Sequence, residues 1–148
     1  MLRILILVLL SLAPAAAQAQ SVPCLFKPEE LAPVFGVQFD AGVIEKDAMG
    51  KAWCSYAVVG GGSARVQIRV EDRMDAERFA RMRKTRVMIT GKDHAVDGVG
   101  DAAFSNEGMF AALKGSRAVE ISGFRTAAKR RATLAEGAQL LRTALARL

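Results

Sequence analysis

The chain contains 148 residues, 51% of them hydrophobic, and its formal net charge is +6 at neutral pH. This length fits one domain that buries a sizeable core, and it leaves no room for a second domain. The moderate positive charge is compatible with an anionic partner, but solubility alone also explains it, so composition does not identify a function.

Residues 1–19 are predicted to be a secretory signal peptide. Arg3 supplies the initial positive charge, residues 4–12 form the apolar core, and Ala17-Gln18-Ala19 is typical of a cleavage site. The apolar run is much shorter than the roughly 20 residues of a membrane-spanning helix, and no later run is longer. We therefore expect a soluble, periplasmic or secreted protein without a transmembrane segment. Its mature part, residues 20–148, is predicted to be a single α+β domain, whose net charge falls from +6 to +5 because Arg3 is removed.

The two cysteines, Cys24 and Cys54, are predicted to form a structural disulfide. Both follow the signal peptide, and an exported chain folds in an oxidising compartment. A catalytic thiol and a lipid-bearing cysteine are the alternatives. Lipid attachment is disfavoured, because Cys24 lies well beyond the apolar core and follows Ser21-Val22-Pro23.

The first half of the mature chain predicts one helix and three strands. A leading proline, two acidic residues and a closing glycine indicate a short helix over 28–36. Strands follow over 37–46, with a bend or bulge at Gly42, and over 52–59 and 65–71. The last of them alternates strictly between apolar and polar residues, which indicates an antiparallel sheet with one buried face.

The second half repeats this order. From residue 75 the spacing of the apolar residues changes from that of a strand to that of a helix, which predicts a helix over 75–90. Phe79, Met82 and Ile89 are among its apolar residues, and arginines lie on its other face. The remaining elements are three short strands and a leucine-rich helix, over 102–105, 109–114, 118–124 and 133–148. The predicted fold class is α+β, with an antiparallel sheet of about six strands covered by helices in the order α-βββ-α-βββ-α.

Several short motifs carry a resemblance: a cysteine before a short helix, Cys54-Ser55-Tyr56 in a strand, Val96-Asp97-Gly98-Val99-Gly100-Asp101-Ala102-Ala103-Phe104, Leu113-Lys114-Gly115, and a C-terminal leucine helix. The chain resembles a family of small exported bacterial proteins of unknown function, many of which are lipoproteins. Such chains are similar to PsbP-like α/β/α sandwiches, so the resemblance implies a binding or assembly module more often than an enzyme. Because the lipid-attachment box is missing here, it implies a freely soluble periplasmic version.

The most distinctive local motif is the turn that contains Gly98, Gly100 and Asp101. Glycine-rich turns can bind phosphate through backbone N–H groups. A phosphate loop opens a helix, however, whereas a strand is predicted from residue 102, and no P-loop lysine is present. We interpret the motif as a structural turn, in which the glycines take conformations closed to other residues and Asp101 hydrogen-bonds the local main chain.

His94 is the only histidine, and it lies close in sequence to Asp93, Asp97 and Asp101. This spacing matches no known metal motif, and no serine stands in a nucleophile elbow. A solvated loop histidine is the preferred interpretation, and neither a metal nor a cofactor is predicted. If the protein were an enzyme, His94, Asp97 and Asp101 would be the first residues to substitute.

Two basic clusters are candidate sites for an anionic surface. One lies on the middle helix and comprises Arg78, Arg81, Arg83, Lys84 and Arg86. The other precedes the last helix and comprises Arg125, Lys129, Arg130 and Arg131. Lipopolysaccharide or anionic lipid would be their ligand, whereas nucleic acid is disfavoured by the compartment and by the lack of interleaved aromatic residues. A solvated helix face is the alternative interpretation of both clusters.

Trp53 and Tyr56 are predicted to lie on opposite faces of their strand, because their separation is odd. One ring would then be in the core and the other partly exposed. An exposed ring near Phe110 or Phe124 would line a small apolar groove.

These observations predict a non-enzymatic periplasmic binding or assembly module, whose partner is unknown, with an envelope protein or an anionic surface as candidates. One alternative is an envelope-surface protein that binds anionic lipid or lipopolysaccharide through residues 125–131. The other alternative is a small periplasmic enzyme.

Overall fold

The fold is described by a computed structural model, which covers residues 24–123 and 132–148. Within these ranges the elements are α1 Pro28–Phe35, β1 Val43–Lys46, β2 Ala52–Ala57, β3 Arg65–Asp72, α2 Ala76–Thr90, β4 His94–Ala95, β5 Ala102–Asn106, β6 Met109–Lys114, β7 Arg117–Ser122 and α3 Leu134–Ala146. The α+β class and the antiparallel sheet are as predicted. The sheet has seven strands instead of about six, so the order is α-βββ-α-ββββ-α.

Two differences from the predicted strands have local causes. The additional strand β4 has only two residues, which pair with the end of β5 and are too few to show any alternation. The strand predicted over 37–46 is interrupted, because only Val43–Lys46 pairs with β2 along its length. The chain passes directly against the disulfide at Gly42, where a Cβ atom would lie 2.6 Å from the Cys54 Sγ. This close approach explains the bend.

The helix ends follow their sequence signals. In α1, Pro28 occupies the first turn, and Gly36 closes the helix with a positive φ of 66°. At the start of α2 the Asp75 carboxylate accepts a hydrogen bond from the Arg78 backbone N–H at 2.7 Å. Thr133 and Glu136 form a reciprocal capping box at the start of α3.

The sheet has the strand order β1-β2-β3-β7-β6-β5-β4, and all neighbours are antiparallel. At its centre β3 pairs with β7, with Ile68 opposite Ile121 and Val70 opposite Val119. This pairing joins the hairpin β2–β3 of the first half to the meander β5–β6–β7 of the second half. It therefore makes one continuous sheet from two local units.

One face of the sheet, here called the α1/α3 face, is covered by helices α1 and α3. Its largest fully buried side chains include Leu31 and Phe35 from α1, Tyr56 and Ile68 from the sheet, and Leu141 from α3. Helix α3 approaches the sheet closely at Gly137, where a Cβ atom would lie 2.0 Å from the Phe110 ring. This layer forms the main core.

The opposite face, here called the α2 face, is only partly covered. Helix α2 buries Phe79 against Phe104, with ring centroids 5.5 Å apart, in a small cluster above β5 and β6. Met88 and Ile89 near the end of α2 stay 78% and 72% exposed. The part of this face formed by β1, β2 and β3 is not covered by α2, and its polar side chains face outward. The predicted apolar face of α2 is therefore buried only at its N-terminal end.

The segment before α1 is held by three sets of contacts. A disulfide joins Cys24 to Cys54, with a Cα–Cα distance of 5.2 Å. The Tyr56 hydroxyl donates to the Phe26 carbonyl at 2.8 Å and accepts from the Phe26 N–H at 3.1 Å. Burial raises the pKa of Tyr56. From the C-terminal end, Arg147 donates to the Leu25 carbonyl and pairs with the Glu30 carboxylate. The segment is therefore fixed from two sides.

We predict an acid-sensitive contribution to stability from the Glu30–Arg147 pair. The hydrogen bond from Arg147, with a second from the Lys27 backbone N–H, lowers the pKa of Glu30 from its ordinary value of 4.5 to about 2. A lowered pKa stabilises the fold above pH 4.5, and this contribution is lost as the pH falls from there towards 2.

Glu30→Gln should therefore remove this part of the pH dependence. We also expect it to lower the free energy of unfolding at pH 7 by about 0.5 to 1 kcal/mol, as for a partly exposed ion pair. Denaturant unfolding between pH 7 and pH 3 measures both effects. Glu29→Gln, at the exposed neighbouring position, is the control, and its free energy of unfolding should depend on pH as that of the wild type does. Identical profiles for Glu30→Gln and wild type would contradict the prediction.

The glycine-aspartate turn packs against the end of β6. Gly98 and Gly100 have φ values of 68° and 58°. The Asp101 N–H donates to the Leu113 carbonyl at 2.7 Å, and its carboxylate accepts from the Gly115 N–H at 2.6 Å. The expected local main-chain bond of Asp101 is therefore made instead to the β6–β7 turn, which is 14 residues away.

Candidate ligand-binding site

A cleft of about 310 Å³ opens on the α2 face, where β3 and β7 emerge from beneath the end of α2. Strand alternation directs polar side chains of β3 and β7 to this face, because their neighbours on each strand fill the main core. We call it the Asn106 cleft; its lining is Gln67, Arg69, Arg86, Ile89, Thr90, Asn106, Gly108, Met109, Glu120 and Ser122.

Asn106 contributes a buried hydrogen-bond donor without an acceptor. The residue is 8% exposed, and its Oδ1 accepts from the Gly108 N–H at 3.1 Å. That bond fixes the orientation of the amide, so the remaining group is the Nδ2 donor, which is buried and has no partner among the residues that the structure describes. An unsatisfied buried donor costs about 1 to 3 kcal/mol, so such groups require an explanation. A ligand acceptor would supply the missing partner.

Arg69 contributes a second unsatisfied donor. In the described part of the chain its Nε is buried without a hydrogen bond, and its guanidinium carbon lies 4.9 Å from the centre of the Trp53 ring. No carboxylate pairs with Arg69 among residues 24–123 and 132–148. Its cross-strand neighbour Glu120 is directed elsewhere, since both Glu120 carboxylate oxygens accept from Arg86 on α2 at 3.3 Å. Arg69 therefore keeps an uncompensated positive charge at the cleft.

The Trp53 ring beneath Arg69 is held in place from the edge of the sheet. The indole N–H donates to one Glu45 oxygen at 2.8 Å, and Arg65 donates to the other at 2.9 Å. This chain of contacts fixes the ring, and the ring in turn positions the Arg69 guanidinium through a cation–π contact.

Arg69 also borders a second cleft of about 320 Å³ on the other side of β3. We call it the Lys51 cleft; its lining is Gly50, Lys51, Ala52, Trp53, Arg69, Val70, Glu71, Asp72 and Arg78. Arg69 thus lines both clefts. Both clefts lie on the α2 face, and helix α2 contributes lining residues to each of them.

The structure separates the residues that sequence patterns grouped around His94. His94 lies exposed in the edge strand β4 opposite Ser105, and Asp93 binds Arg83 through two hydrogen bonds of 2.8 and 3.0 Å. Asp101 is bonded to Gly115. Across the part of the chain that the structure describes, no group of three His, Cys, Asp or Glu side chains could hold a metal ion.

The basic cluster on α2 is largely paired with carboxylates. Arg78 pairs with Glu71, Arg81 with Glu77, Arg83 with Asp93 and Arg86 with Glu120. The other basic cluster, Arg125, Lys129, Arg130 and Arg131, lies outside the described residues, as do Phe124 and the predicted signal peptide. The anion-binding hypothesis for that cluster stays a prediction.

The predicted aromatic groove takes a different form. Tyr56 is fully buried on the α1/α3 face, and Trp53 is half-buried on the α2 face, so the two rings do lie on opposite faces. Phe110 is buried in the main core on the side of Tyr56, so the partly exposed Trp53 ring does not lie beside it; a groove beside Phe124 stays a prediction. Instead, Trp53 faces Arg69.

Sequence patterns did not identify Arg69 or Asn106 as site residues. Arg69 is one of several polar residues on the solvent-exposed face of a predicted strand, and Asn106 lies between two predicted strands. The sequence does place Trp53 and Arg69 on the same face of two adjacent predicted strands. This pattern indicates a binding site only once the structure shows that the neighbouring carboxylate, Glu120, binds Arg86 instead of Arg69.

Comparisons of the chain with protein-family models, with curated proteins and with solved structures gave no match. The resemblance to small exported bacterial proteins therefore stays a prediction. In the described ranges, none of the helices has the length and apolar character needed to cross a membrane. The disulfide is typical of proteins that fold outside the cytosol.

Proposed function

We propose that this protein is a non-enzymatic periplasmic binding module that holds its ligand in the Asn106 cleft. The observation that carries the proposal is the presence of two buried donors, Arg69 Nε and Asn106 Nδ2, in the lining of one open cleft, neither of which has an acceptor among the described residues. The described fold leaves both groups unsatisfied, and a ligand with matching acceptors would remove that cost.

The chemistry of the lining supports binding more than catalysis. Its carboxylate, Glu120, is engaged by Arg86. The Thr90 hydroxyl donates to the Arg86 carbonyl at 3.0 Å. Among the described lining residues there is no thiol and no imidazole that would serve as nucleophile or base. The groups left free are therefore suited to hold a ligand.

The periplasmic location rests on two supports. Residues 1–19 have the pattern of a signal peptide, and the disulfide between Cys24 and Cys54 suits an oxidising compartment. The PsbP-like resemblance, which implies binding or assembly modules, agrees with the same interpretation.

The experiment is capture from the native periplasm, followed by native mass spectrometry. Tagged mature wild-type protein should retain a ligand or partner that the Arg69→Gln and Asn106→Ala variants lose. Arg81→Gln is the matched control, because Arg81 is an exposed arginine of α2 that does not line the cleft. If all four proteins retain the same species, or if none retains any, the proposal is wrong. Substrate turnover that is abolished by His94→Ala would also contradict it.

A further inference from the structure

We infer that the Asn106 cleft recognises the C-terminal segment of an extended peptide, whose terminal carboxylate is bound by Arg69. The inference rests on the proposed binding function and adds the chemical class of the ligand. Four features of the cleft lead to it: the polarity of its free groups, its charge, its length and its floor.

Among the described residues, the buried unsatisfied groups of the cleft are donors, whereas the Glu120 carboxylate and the Asn106 Oδ1 are occupied. The Glu120 carboxylate accepts from Arg86, and the Asn106 Oδ1 accepts from Gly108. Free donors come from the Arg69 guanidinium and the Asn106 Nδ2. A ligand must therefore present acceptors, which carboxylate and carbonyl oxygens provide.

The charge of the cleft suits a single negative charge. Arg86 is neutralised by Glu120, so within the described lining only Arg69 offers an uncompensated positive charge. A phosphate monoester carries about −1.5 to −2 charges at pH 7. A carboxylate therefore matches better than a phosphate.

The strands that carry the two donors are well separated, and the Arg69 guanidinium lies over Trp53 of β2, on the side of β3 away from Asn106. Arg69 is on β3 and Asn106 is on β5, and the strands β7 and β6 lie between them. Three inter-strand spacings amount to about 14 Å. An extended peptide covers this distance with about four residues. A carboxylate at Arg69 would thus leave a backbone carbonyl, about four residues earlier, to accept from Asn106.

The floor and wall between the two donors suit a peptide rather than a plain acyl chain. Gln67 and Ser122 face each other across β3 and β7. In the described ranges their side chains make no hydrogen bonds, so both can pair with peptide N–H and C=O groups. Met109 at the base and the 72% exposed Ile89 at the side offer contact to one apolar side chain.

The test uses Trp53, the only tryptophan, as an internal reporter, because a carboxylate that binds Arg69 alters the cation–π contact. The probe is an equimolar mixture of N-acetylated tetrapeptides of alanine, leucine and serine with free carboxyl termini. The same mixture with amidated termini, and octanoate, are the comparison ligands. We expect saturable Trp53 emission changes with the acids and at least about tenfold weaker binding of the amides. Octanoate should bind at least as weakly as the amides.

Variants assign these effects to residues, and titration calorimetry gives a readout that does not depend on Trp53. Arg69→Gln should abolish the preference for acid over amide. Asn106→Ala should weaken the binding of peptide acids and of peptide amides by a similar factor of about five to ten. Arg81→Gln should bind as wild type does.

The outcomes separate the inference from the proposed function. If peptide acids and peptide amides bind equally, the inferred recognition of a terminal carboxylate is wrong. If octanoate binds as tightly as the peptide acids, the inference that the ligand is a peptide is wrong. If the periplasmic capture yields an Arg69-dependent ligand but no tetrapeptide binds, the inference is wrong and the proposed function stands. If neither experiment detects binding, both are wrong.

Discussion

Replacing both Cys24 and Cys54 by serine is expected to lower the free energy of unfolding by about 3 to 4 kcal/mol. The disulfide closes a loop between residues 30 positions apart, and its removal restores conformational freedom to that loop in the unfolded chain. It also removes one of the three sets of contacts that hold the segment before α1, and it leaves the hydrogen bonds between Phe26 and Tyr56 in place.

Urea unfolding with and without reductant measures this effect. Wild-type protein in reductant should unfold at nearly the midpoint of the double variant, and reductant should not change the double variant at all. Phe26 and Tyr56 form their hydrogen bonds independently of the sulfur atoms, so a folded but less stable protein is expected. If reductant leaves the wild-type midpoint unchanged, the stabilising role given to the disulfide is wrong.

Gly100→Ala is expected to lower the free energy of unfolding by about 2 to 5 kcal/mol. The left-handed φ of 58° costs a non-glycine residue roughly 1 to 2 kcal/mol. In addition, a Cβ atom would lie 2.3 Å from the Leu113 carbonyl oxygen, and backbone displaced by such overpacking costs about 1 to 3 kcal/mol. Because the contact is with backbone of β6, no side-chain rotation relieves it.

Gly98→Ala is the matched control, two residues earlier in the same turn. Its φ of 68° is similar, but a Cβ atom there meets nothing within 4 Å. We therefore expect a loss of only about 1 to 2 kcal/mol, from backbone conformation alone. Thermal and urea unfolding of both variants give the comparison. Equal losses would show that the contact with Leu113 does not determine the cost.

Sequence patterns predicted the helices and strands whose formation depends on residues close together in the chain. Strict alternation placed the strand 65–71, and proline and glycine placed α1. The odd spacing of Trp53 and Tyr56 was enough to put the rings on opposite faces. By contrast, β4 has two residues and the interruption at Gly42 arises from contact with the disulfide, so neither had a periodic signal.

The site depends on contacts that no local pattern contains. Arg69 is uncompensated because Glu120 on β7 binds Arg86 on α2, and these three residues come together only in the folded sheet. The turn chemistry of Asn106 was visible in the sequence Asn106-Glu107-Gly108, and its Oδ1 does accept from Gly108. The burial of its other amide atom results from packing, which the turn sequence does not determine.

The pairing of β3 with β7 at the centre of the sheet affects the order in which the chain folds. The hairpin β2–β3 and the disulfide need residues only up to 72, so oxidation can occur on the first half alone. Until β7 is in place, β3 has an unpaired edge, which is a point of non-native association for a folding chain. Such long-range pairing slows folding. The slow step of refolding should therefore be the docking of the β5–β6–β7 meander onto an already oxidised hairpin.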